Sequence, residues 1–200
     1  MMADGRSSFS RKNIFTGIRI FQNAFDGNNN AHLTIKLRNM ASFPEFREKL
    51  ERTTYGRTNI TVLAQTLTAK ARWDLINDHD LILSPHRAEG YGLHLAEGMA
   101  LGKCVVATGW SGNLQFMNEH NSVLLPFKRV PVEDSFGVYD QVENAHWADV
   151  DEPAAVAALQ ALEQAPKKRD EIGATARRDI LNALSNRAVL EIIKQELPIR

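Results

Sequence analysis

Cysteine is almost missing from this sequence, because Cys104 is the single one among 200 residues. One cysteine excludes an intrachain disulfide and is typical of a reducing compartment, so we expect a cytoplasmic protein. Cys104 lies in the apolar run C-V-V-A-T, which has the pattern of a buried strand. That setting favours a small buried residue over a nucleophile.

An excess of charge is also missing, because 24 basic residues balance 24 acidic ones. This balance gives no indication of a nucleic-acid partner. The sequence shows no signal peptide and no apolar run of membrane-spanning length, so we expect no membrane-spanning segment. Internal repeats and low-complexity tracts are absent. A chain of 200 residues suits one domain over residues 1–200 with a substantial core.

Short apolar runs alternate along the chain with segments of helical periodicity. This alternation predicts an α/β fold built on a doubly wound parallel sheet. The predicted strands are His32–Arg38, Asn59–Ala64, Leu81–Leu83, Lys103–Thr108 and Ser122–Pro126. Helices are predicted after Ser10, from Pro44, over Ala69–Asn77 with Trp73 packed, after Gly92, over Ala154–Ala165, and over residues 167–185 and 186–197. Residues 127–150 are predicted to form a long loop before the terminal helices of residues 151–197.

The stretch from Ser84 to Gly102 organises the rest of the sequence. A buried strand leads into a loop that contains Gly90 and Gly92, and a helix follows. The start of such a helix presents unpaired N–H groups and partial positive charge, which suits a phosphate. Glu89 and Glu97 lie on either side of this start. A carboxylate repels phosphate but accepts hydrogen bonds from hydroxyls, so the pattern indicates a nucleoside diphosphate sugar.

These two glutamates form a Glu-x7-Glu pattern within S-P-x-R-x-E-G-Y-G-L-x-L-x-E-x-M-A-x-G-x-x-V-V-A-T. This pattern resembles the signature of family 4 glycosyltransferases, which are retaining enzymes of the two-domain GT-B fold. The resemblance implies a three-layer, Rossmann-like domain that forms the C-terminal, donor-binding half of such an enzyme. It also implies metal-independent glycosyl transfer in polysaccharide or cell-envelope glycan synthesis.

The resemblance further implies which molecules the chain binds. The substrate would be a nucleotide sugar such as a UDP-sugar or a GDP-sugar, and no cofactor is expected. The expected partner is an N-terminal acceptor domain, which this sequence lacks. Peripheral membrane association of the full enzyme stays open. The sequence does not reveal the base, the sugar, the acceptor or the oligomeric state.

Within the family, a basic residue near the first helix holds the donor phosphates. Ser10 is predicted to cap that helix, which places Arg11 and Lys12 at its entrance. Lys12 matches the family position best, and Arg11 is second. A cation at a helix start is mildly unfavourable, and a bound diphosphate would supply the reason for it.

The resemblance assigns roles to the other loops of the expected crevice. Glu89 would hold the hydroxyls of the transferred sugar, and Glu97 would hold those of the ribose. The amides from Gly90 to Leu93 would stabilise charge on the leaving diphosphate. We expect Glu89, Lys12 and Arg11 to be catalytic. The remaining predicted donor-binding residues are Arg87, Gly90, Tyr91, Gly92 and Leu93, the base-contacting loop of Gln65, Thr66 and Leu67, and Gly112.

Several of these residues also have structural interpretations. Glu89 could cap the following helix, Glu97 could be a surface residue, and Arg87 could form a weak ion pair with Glu89. His86 and His94 lie near the expected crevice. A lone histidine is more often structural than catalytic, so we favour a structural role for both.

The triplet Asp78-His79-Asp80 matches the D-x-D metal motif of a different glycosyltransferase class. It comes just before a predicted strand, whereas open α/β sheets bind ligands at the carboxyl ends of their strands. We therefore reject this triplet as a metal site and predict that the chain holds no metal.

Two functions from different classes fit the sequence. The first is the donor half of a glycosyltransferase, which we expect to be inactive without its acceptor half. The second is a stand-alone nucleotide-sugar-binding module that acts with a partner chain. A dinucleotide-dependent dehydrogenase is disfavoured because no G-x-G-x-x-G pattern follows the first strand.

Overall fold

The computed structural model describes residues 1–28, 30–134, 139, 143–185 and 188. In these residues, six parallel strands form two three-stranded sheets. The first sheet has the order β1-β2-β3, made of Met2–Asp4, Leu33–Arg38 and Ile60–Leu63. The second has the order β4-β5-β6, made of Leu81–Ser84, Cys104–Thr108 and Val123–Leu125.

Helices connect these strands and follow them. The helices are α1 (Phe9–Lys12), α2 (Ile14–Ala24), α3 (Pro44–Thr54), α4 (Ala69–Asn77), α5 (Leu93–Ala100), α6 (Glu152–Gln164) and α7 (Pro166–Ala183). Short 3₁₀ turns occupy Gly5–Ser7, Met40–Ser42 and Gly112–Gln115. No helix among the described residues is both long and apolar enough to cross a membrane.

Helices cover both faces of the second sheet. Leu95 of α5 and Ile180 of α7 pack in the core on one face, and Ile20 of α2 and Leu159 of α6 pack in the core on the other. The first sheet packs Ile35 against α2 and α3. These three layers form the predicted Rossmann-like α/β fold.

β1 and β4 are each at an edge of their sheet, because β1 pairs with β2 alone and β4 pairs with β5 alone among the described strands. No ladder between β1 and β4 joins the described parts of the two sheets. Other contacts hold the two sheets together. The N–H of Arg87 donates to the carbonyl of Arg11 at 2.8 Å, and Met2 packs against the core of the second sheet. The loops after β1 and β4 are therefore neighbours.

The start of the first helix differs from the prediction. Ser8, not Ser10, is the N-cap, because its Oγ accepts from the N–H of Arg11 at 3.2 Å. Asn13 then adopts a left-handed conformation (φ 54°) that separates α1 from α2. Arg11 and Lys12 thus lie in the last turn of α1, where the helix dipole favours cations. The predicted unfavourable placement at a helix entrance was wrong.

The segment of residues 127–150 also differs from the predicted loop. It contains two antiparallel strands, β7 (Phe127–Pro131) and β8 (His146–Val150). This hairpin packs behind the loop after β4, because the N–H of Ala148 donates to the carbonyl of Arg87 at 2.9 Å. The sequence did not reveal the hairpin because the residues between its strands carry no short turn signal.

Two further predictions have clear outcomes. Trp73 was expected to be packed, but its side chain is 49% exposed on α4. Cys104 is buried, as predicted, and burial raises the pKa of its thiol to about 12. The thiol therefore stays protonated, which argues against a nucleophile. Apart from residue 188, the helix predicted for residues 186–197 lies outside the described residues.

Candidate functional site

A cleft of about 480 Å³ opens at the carboxyl ends of β1, β2 and β4. We call it the central cleft. Its lining residues are Met2, Ala3, Asp4, Ser7, Arg11, Lys12, Lys36, Arg38, Leu67, Arg72, Glu89, Tyr91, Gly92, Leu93, His94 and Glu97. This is the sheet edge at which open α/β folds bind ligands, and the volume is typical of a small-molecule site.

The amino end of α5 opens into this cleft. Gly92 is its N-cap with φ 95°, a conformation that favours glycine, and no side-chain hydrogen bond caps the helix in the described structure. The carbonyl of Gly92 accepts from the N–H groups of Leu95 and Ala96 at 2.8 and 3.0 Å. The N–H groups of Leu93 and His94 come before the two bonded amides in the sequence. They belong to the N–H groups of the first turn, which have no partner within a helix. The helix start can therefore receive an anion.

Ser111 holds the backbone of the glutamate loop. Its Oγ accepts from the N–H of Glu89 at 2.6 Å and donates to the carbonyl of the same residue at 2.7 Å. The N–H of Gly112 donates to that carbonyl at 2.9 Å. Ser111 adopts a positive φ of 79°, which is unusual for a side-chain-bearing residue. The loop after β5 thus fixes the backbone position of Glu89.

The side chain of Glu89 meets two cations from α1. Its Oε2 forms a very short hydrogen-bonded ion pair with the Nζ of Lys12. Its Oε1 lies 3.6 Å from Nη1 of Arg11. All three side chains are about 9 or 10% exposed, so the cluster is largely shielded from water. A buried cluster of this kind has its charges fixed in place before any ligand arrives.

Arg11 and Lys12 differ in how firmly they are held. Arg11 donates from Nε to the carbonyl of Ser7 at 2.9 Å and from Nη1 to the carbonyl of Ala88 at 2.6 Å. Lys12 pairs with Glu89 alone among the side chains that the structure describes. Arg11 is therefore a fixed charge, whereas Lys12 can exchange its partner for a ligand.

The pKa values of this cluster reflect burial and mutual charge. Burial opposes ionisation of Glu89, yet the cations Lys12 and Arg11 hold the pKa of its carboxyl below its usual range. Burial lowers the pKa of Lys12, and the neighbouring Glu89 opposes that shift. The ionised Glu89 can accept hydrogen bonds from hydroxyl groups.

Glu97 faces the other end of the central cleft. It forms a two-point ion pair with Arg72 of α4, with Nε–Oε2 3.1 Å and Nη2–Oε1 2.6 Å. A carboxylate has about four acceptor positions, and this pair uses two of them. Glu97 therefore keeps acceptor capacity for a ligand while Arg72 fixes its orientation.

The two histidines have different surroundings. His86 is fully buried, with Nδ1 3.0 Å from the Oγ of Ser84 and Nε2 3.1 Å from the Oδ1 of Asn113. These contacts support the structural interpretation. His94 lines the central cleft, where burial and the charge of Lys12 lower the pKa of its imidazole to about 3. His94 is therefore neutral at physiological pH.

The lowered pKa of His94 predicts a pH-dependent stability. Unfolding restores the ordinary pKa of 6.5 from a folded value of about 3, so the unfolded chain binds the extra proton between these pH values. Stability should therefore fall as the pH drops below 6.5, and one fully shielded group contributes about 1.4 kcal/mol per pH unit. We expect somewhat less because His94 keeps partial solvent contact. Urea unfolding at several pH values measures the slope.

His94→Gln is the comparison that isolates this effect, because His86 and the amino group of Met1 also have lowered pKa values. The variant should lose less stability than the original protein between pH 7 and pH 5. Parallel stability curves for the two proteins would show that the imidazole of His94 is not the group responsible.

The structure separates some predicted site residues from the central cleft. Arg87 lines a different cavity, where it contacts Asp149 at 3.2 Å and lies over the ring of Trp147. Gln65 and Thr66 are exposed in the loop after β3, and Leu67 from this loop reaches the cleft. The predicted contact of Arg87, Gln65 and Thr66 with a donor stays a prediction.

Gly90 and Gly112 lie beside the cleft and shape it through the backbone. A Cβ on Gly112 would lie 1.9 Å from the carbonyl oxygen of Gly90. The two loops are therefore too close to accommodate a side chain at Gly112. Tyr91, Gly92 and Leu93 line the cleft as predicted for that loop, and the ring of Tyr91 packs on Phe116 at 5.0 Å.

Sequence reasoning missed several polar residues of the cleft. Lys36 and Arg38 come from β2, and Arg72 comes from α4. The alternation in L-T-I-K-L-R places Lys36 and Arg38 on the face of β2 opposite the buried Ile35 and Leu37. Their position at the carboxyl end of that strand was the sequence signal that could have identified them as cleft residues. Arg72 had no comparable signal.

Further cavities lie outside the central cleft. One of about 780 Å³ includes Arg87 and the hairpin residue Trp147. Another of about 500 Å³ includes Asp78, His79 and Asp80 at the amino end of β4. His79 bonds to the carbonyl of Leu75 and to Thr34. In the described part of the chain, no three metal-ligating side chains come together.

Comparison with known families gives a match that covers most of the chain. The sequence model described as "Glycosyl transferases group 1" matches residues 7–134, which include the whole central cleft apart from Met2, Ala3 and Asp4. No curated protein sequence matches the chain significantly.

Solved structures share the fold. A mutant of S. aureus TarM in complex with Fondaparinux, alpha-GlcNAc-glycerol and UDP has a TM-score of 0.65 and 18% identity over 90% of this chain and 32% of that protein. The pneumococcal O-GlcNAc transferase GtfA in complex with UDP and GlcNAc has a TM-score of 0.67 and 17% identity, covering 97% and 34%. Anabaena Alr3699/HepE in complex with UDP and glucose has a TM-score of 0.66 and 15% identity, covering 100% and 48%.

The TM-scores of 0.65, 0.67 and 0.66 establish a shared fold. The chain spans about a third to a half of the length of these three proteins, at 32%, 34% and 48%. It therefore corresponds to one part of each larger structure.

Proposed function

The chain belongs to the group 1 glycosyl transferases, and on that premise we propose that it is the donor-binding half of a glycosyltransferase. Its central cleft would bind a nucleoside diphosphate sugar for retaining transfer of the sugar to an acceptor. Synthesis of a polysaccharide or cell-envelope glycan is the proposed setting. All three structural neighbours named above are described with UDP, so UDP is the first nucleotide to test.

The observation that carries this proposal is the convergence of three features in one cleft. Lys12 and Arg11 supply positive charge, the start of α5 supplies amides, and Glu89 and Glu97 supply hydroxyl acceptors on either side. A diphosphate between a sugar and a ribose has the matching order of charge and hydroxyl groups. A simple anion would not require the two carboxylates.

The proposed chemistry follows from these positions. The bond between the anomeric carbon and the diphosphate oxygen breaks, and the diphosphate leaves with the bonding electrons. The anomeric carbon then bonds to an acceptor oxygen, whose proton passes to the departing diphosphate. Lys12, Arg11 and the amides of α5 would stabilise the charge that develops on the leaving group. Glu89 would orient the sugar, and Glu97 would orient the ribose.

Lys12 changes partner in this scheme. In the structure it pairs with Glu89, and donor binding would bring phosphate oxygens to the same ammonium group. Glu89 would then accept hydrogen bonds from sugar hydroxyls instead. The acceptor would be held by a second α/β half, because this chain spans under half the length of its structural neighbours.

Calorimetry with UDP and with UDP-sugars tests the proposal directly. Saturable binding is expected, and a hundredfold excess of ligand over its dissociation constant should stabilise the fold by about 2.7 kcal/mol. GDP and GDP-sugars are the second set. Absence of binding by every nucleotide in both sets would remove the proposed function.

Glu97→Ala is expected to weaken binding of UDP by about 10- to 100-fold, which is the scale of one hydrogen bond to a charged group. Calorimetry on the folded variant measures this loss. Glu119→Ala, at an exposed position outside the cleft, is the matched control and should bind like the original protein. Unchanged affinity in Glu97→Ala would refute the assignment of Glu97 to the ribose.

A further inference from the structure

Lys36 is a buried lysine that faces the central cleft from the carboxyl half of β2. The residue is 5% exposed and lines the cleft. Its backbone is fixed on both sides, because it lies opposite Met2 in β1 and opposite Leu63 in β3. Its N–H also donates to the carbonyl of Met1 at 2.9 Å. The position of the Cα atom from which the side chain extends is therefore fixed.

No ion pair or hydrogen bond joins the ammonium group of Lys36 to another residue that the structure describes, and its Nζ is not among the fully enclosed unpaired atoms, so the end of the side chain is open to the cleft. The other buried cations of the cleft differ in this respect, because Lys12 pairs with Glu89 and Arg11 donates to two carbonyls. The stem of the side chain is enclosed, whereas its charged end can meet a ligand in the cleft. An unpartnered donor that faces a cleft indicates a ligand acceptor.

The charges around Lys36 do not compensate for its burial. Burial lowers the pKa of its ammonium group, and Arg38 and Arg72 lower it further while Asp4 opposes the shift. Asp4 itself accepts from the N–H of Arg6 and from Asn39. The ammonium form donates hydrogen bonds and accepts none, so a ligand that pairs with it must offer an acceptor.

The position of Lys36 indicates which part of a nucleotide sugar it would contact. The loop that carries Leu67 into the cleft leaves β3 just after Leu63, the strand neighbour of Lys36. On the other wall, Arg72 and Glu97 form their ion pair. The Lys12–Glu89 pair and the start of α5 belong to the phosphate and sugar end. Lys36 is therefore at the nucleoside end of the cleft.

The phosphates of the donor are assigned above to Lys12, Arg11 and the amides of α5, at the other end of the cleft. The group that meets Lys36 would therefore be a neutral acceptor of the nucleoside. The nucleobase is the part of the nucleoside that offers a carbonyl oxygen.

We propose that Lys36 is a specificity-determining residue that donates a hydrogen bond to the exocyclic oxygen of the donor base, such as O4 of uracil or O6 of guanine. This inference rests on the proposed function. Cytosine and adenine carry an amino group at the corresponding positions, which would leave the ammonium group facing another donor. A site built to donate a hydrogen bond to a ligand oxygen discriminates against an analogue that lacks this acceptor.

The test compares four nucleoside diphosphates by calorimetry. The unmodified protein should bind UDP more tightly than CDP, or GDP more tightly than ADP, by about 10-fold or more. Lys36→Met should lose this preference through weaker binding of the favoured nucleotide. Lys36→Gln, which keeps a donor, should retain part of it. Lys128→Met, at an exposed position on β7, should keep the full preference.

Folding does not obscure this test. Methionine keeps an unbranched apolar stem and breaks no hydrogen bond or ion pair of the Lys36 side chain with a described residue, so the thermal stability of Lys36→Met should stay close to that of the original protein. Equal binding of all four nucleotides by the original protein would overturn the role of Lys36 and leave the proposed function intact. A preference that persists in Lys36→Met would also overturn the role of Lys36 and leave the proposed function intact. Failure to bind any of the four would overturn the proposed function and this inference together.

Discussion

Gly112→Ala is expected to destabilise the folded protein by at least about 3 kcal/mol and to abolish binding of UDP. The new Cβ would lie 1.9 Å from the carbonyl oxygen of Gly90, 2.5 Å from its carbon and 2.8 Å from the oxygen of Glu89. These are backbone atoms, so no side-chain rotation relieves the overlap. The loop after β4 must move away, which breaks the 2.9 Å bond from the Gly112 N–H to Glu89.

Urea unfolding and calorimetry measure the two effects of Gly112→Ala. Gly109→Ala is the matched control from the same loop, because its Cβ would meet its nearest atoms at 3.4 and 3.5 Å. That variant should change stability by under about 1 kcal/mol. Near-original stability together with intact UDP binding in Gly112→Ala would show that the two loops are not packed as described.

Lys12→Met is expected to weaken binding of UDP by more than about 100-fold, since it removes the charge proposed to contact the diphosphate. Arg11 cannot replace it, because its guanidinium is held by the carbonyls of Ser7 and Ala88 at 2.9 and 2.6 Å. The substitution also leaves Glu89 buried with less compensating charge. The pKa of Glu89 should therefore rise and the stability of the fold should decrease.

A second substitution separates the binding role of Lys12 from its role as a partner of Glu89. Adding Glu89→Gln to Lys12→Met removes the uncompensated carboxylate, so stability should recover while UDP binding stays lost. Lys128→Met controls for the loss of a lysine at an exposed site. Recovery of UDP affinity in the double variant would mean that Lys12 acts through Glu89 alone.

The fold was predictable because its signals are local. The strand from Leu81, the helix after Gly92 and the helix Ala69–Asn77 all follow from apolar periodicity and glycine positions. The predictions were wrong where residues that are distant in sequence determine the local structure. Ser8 caps α1 while its Oγ donates to the buried Asp134, a residue 126 positions away. The sequence between β7 and β8 carries no short turn pattern, so the pairing of these two strands was not predicted.

The location of several predicted site residues was also predictable. Lys12, Glu89, Gly92 and Glu97 line the central cleft, and their contact with a donor stays a prediction. Arg87 is in the same loop as Glu89, but its side chain contacts Asp149 and lies over the ring of Trp147. The direction of a loop side chain depends on the partners that tertiary packing brings to it, and these partners are 62 and 60 residues away in sequence.

The sequence by itself determined the alternation of strands and helices, the glycine-opened helix start and the pair of glutamates around it, because these depend on neighbours along the chain. Only the tertiary structure decided which cations meet those glutamates and that Lys36 faces the cleft without a partner. Burial and pairing of a charged side chain depend on segments that are far apart in sequence. Their effect appears only once the strands are side by side.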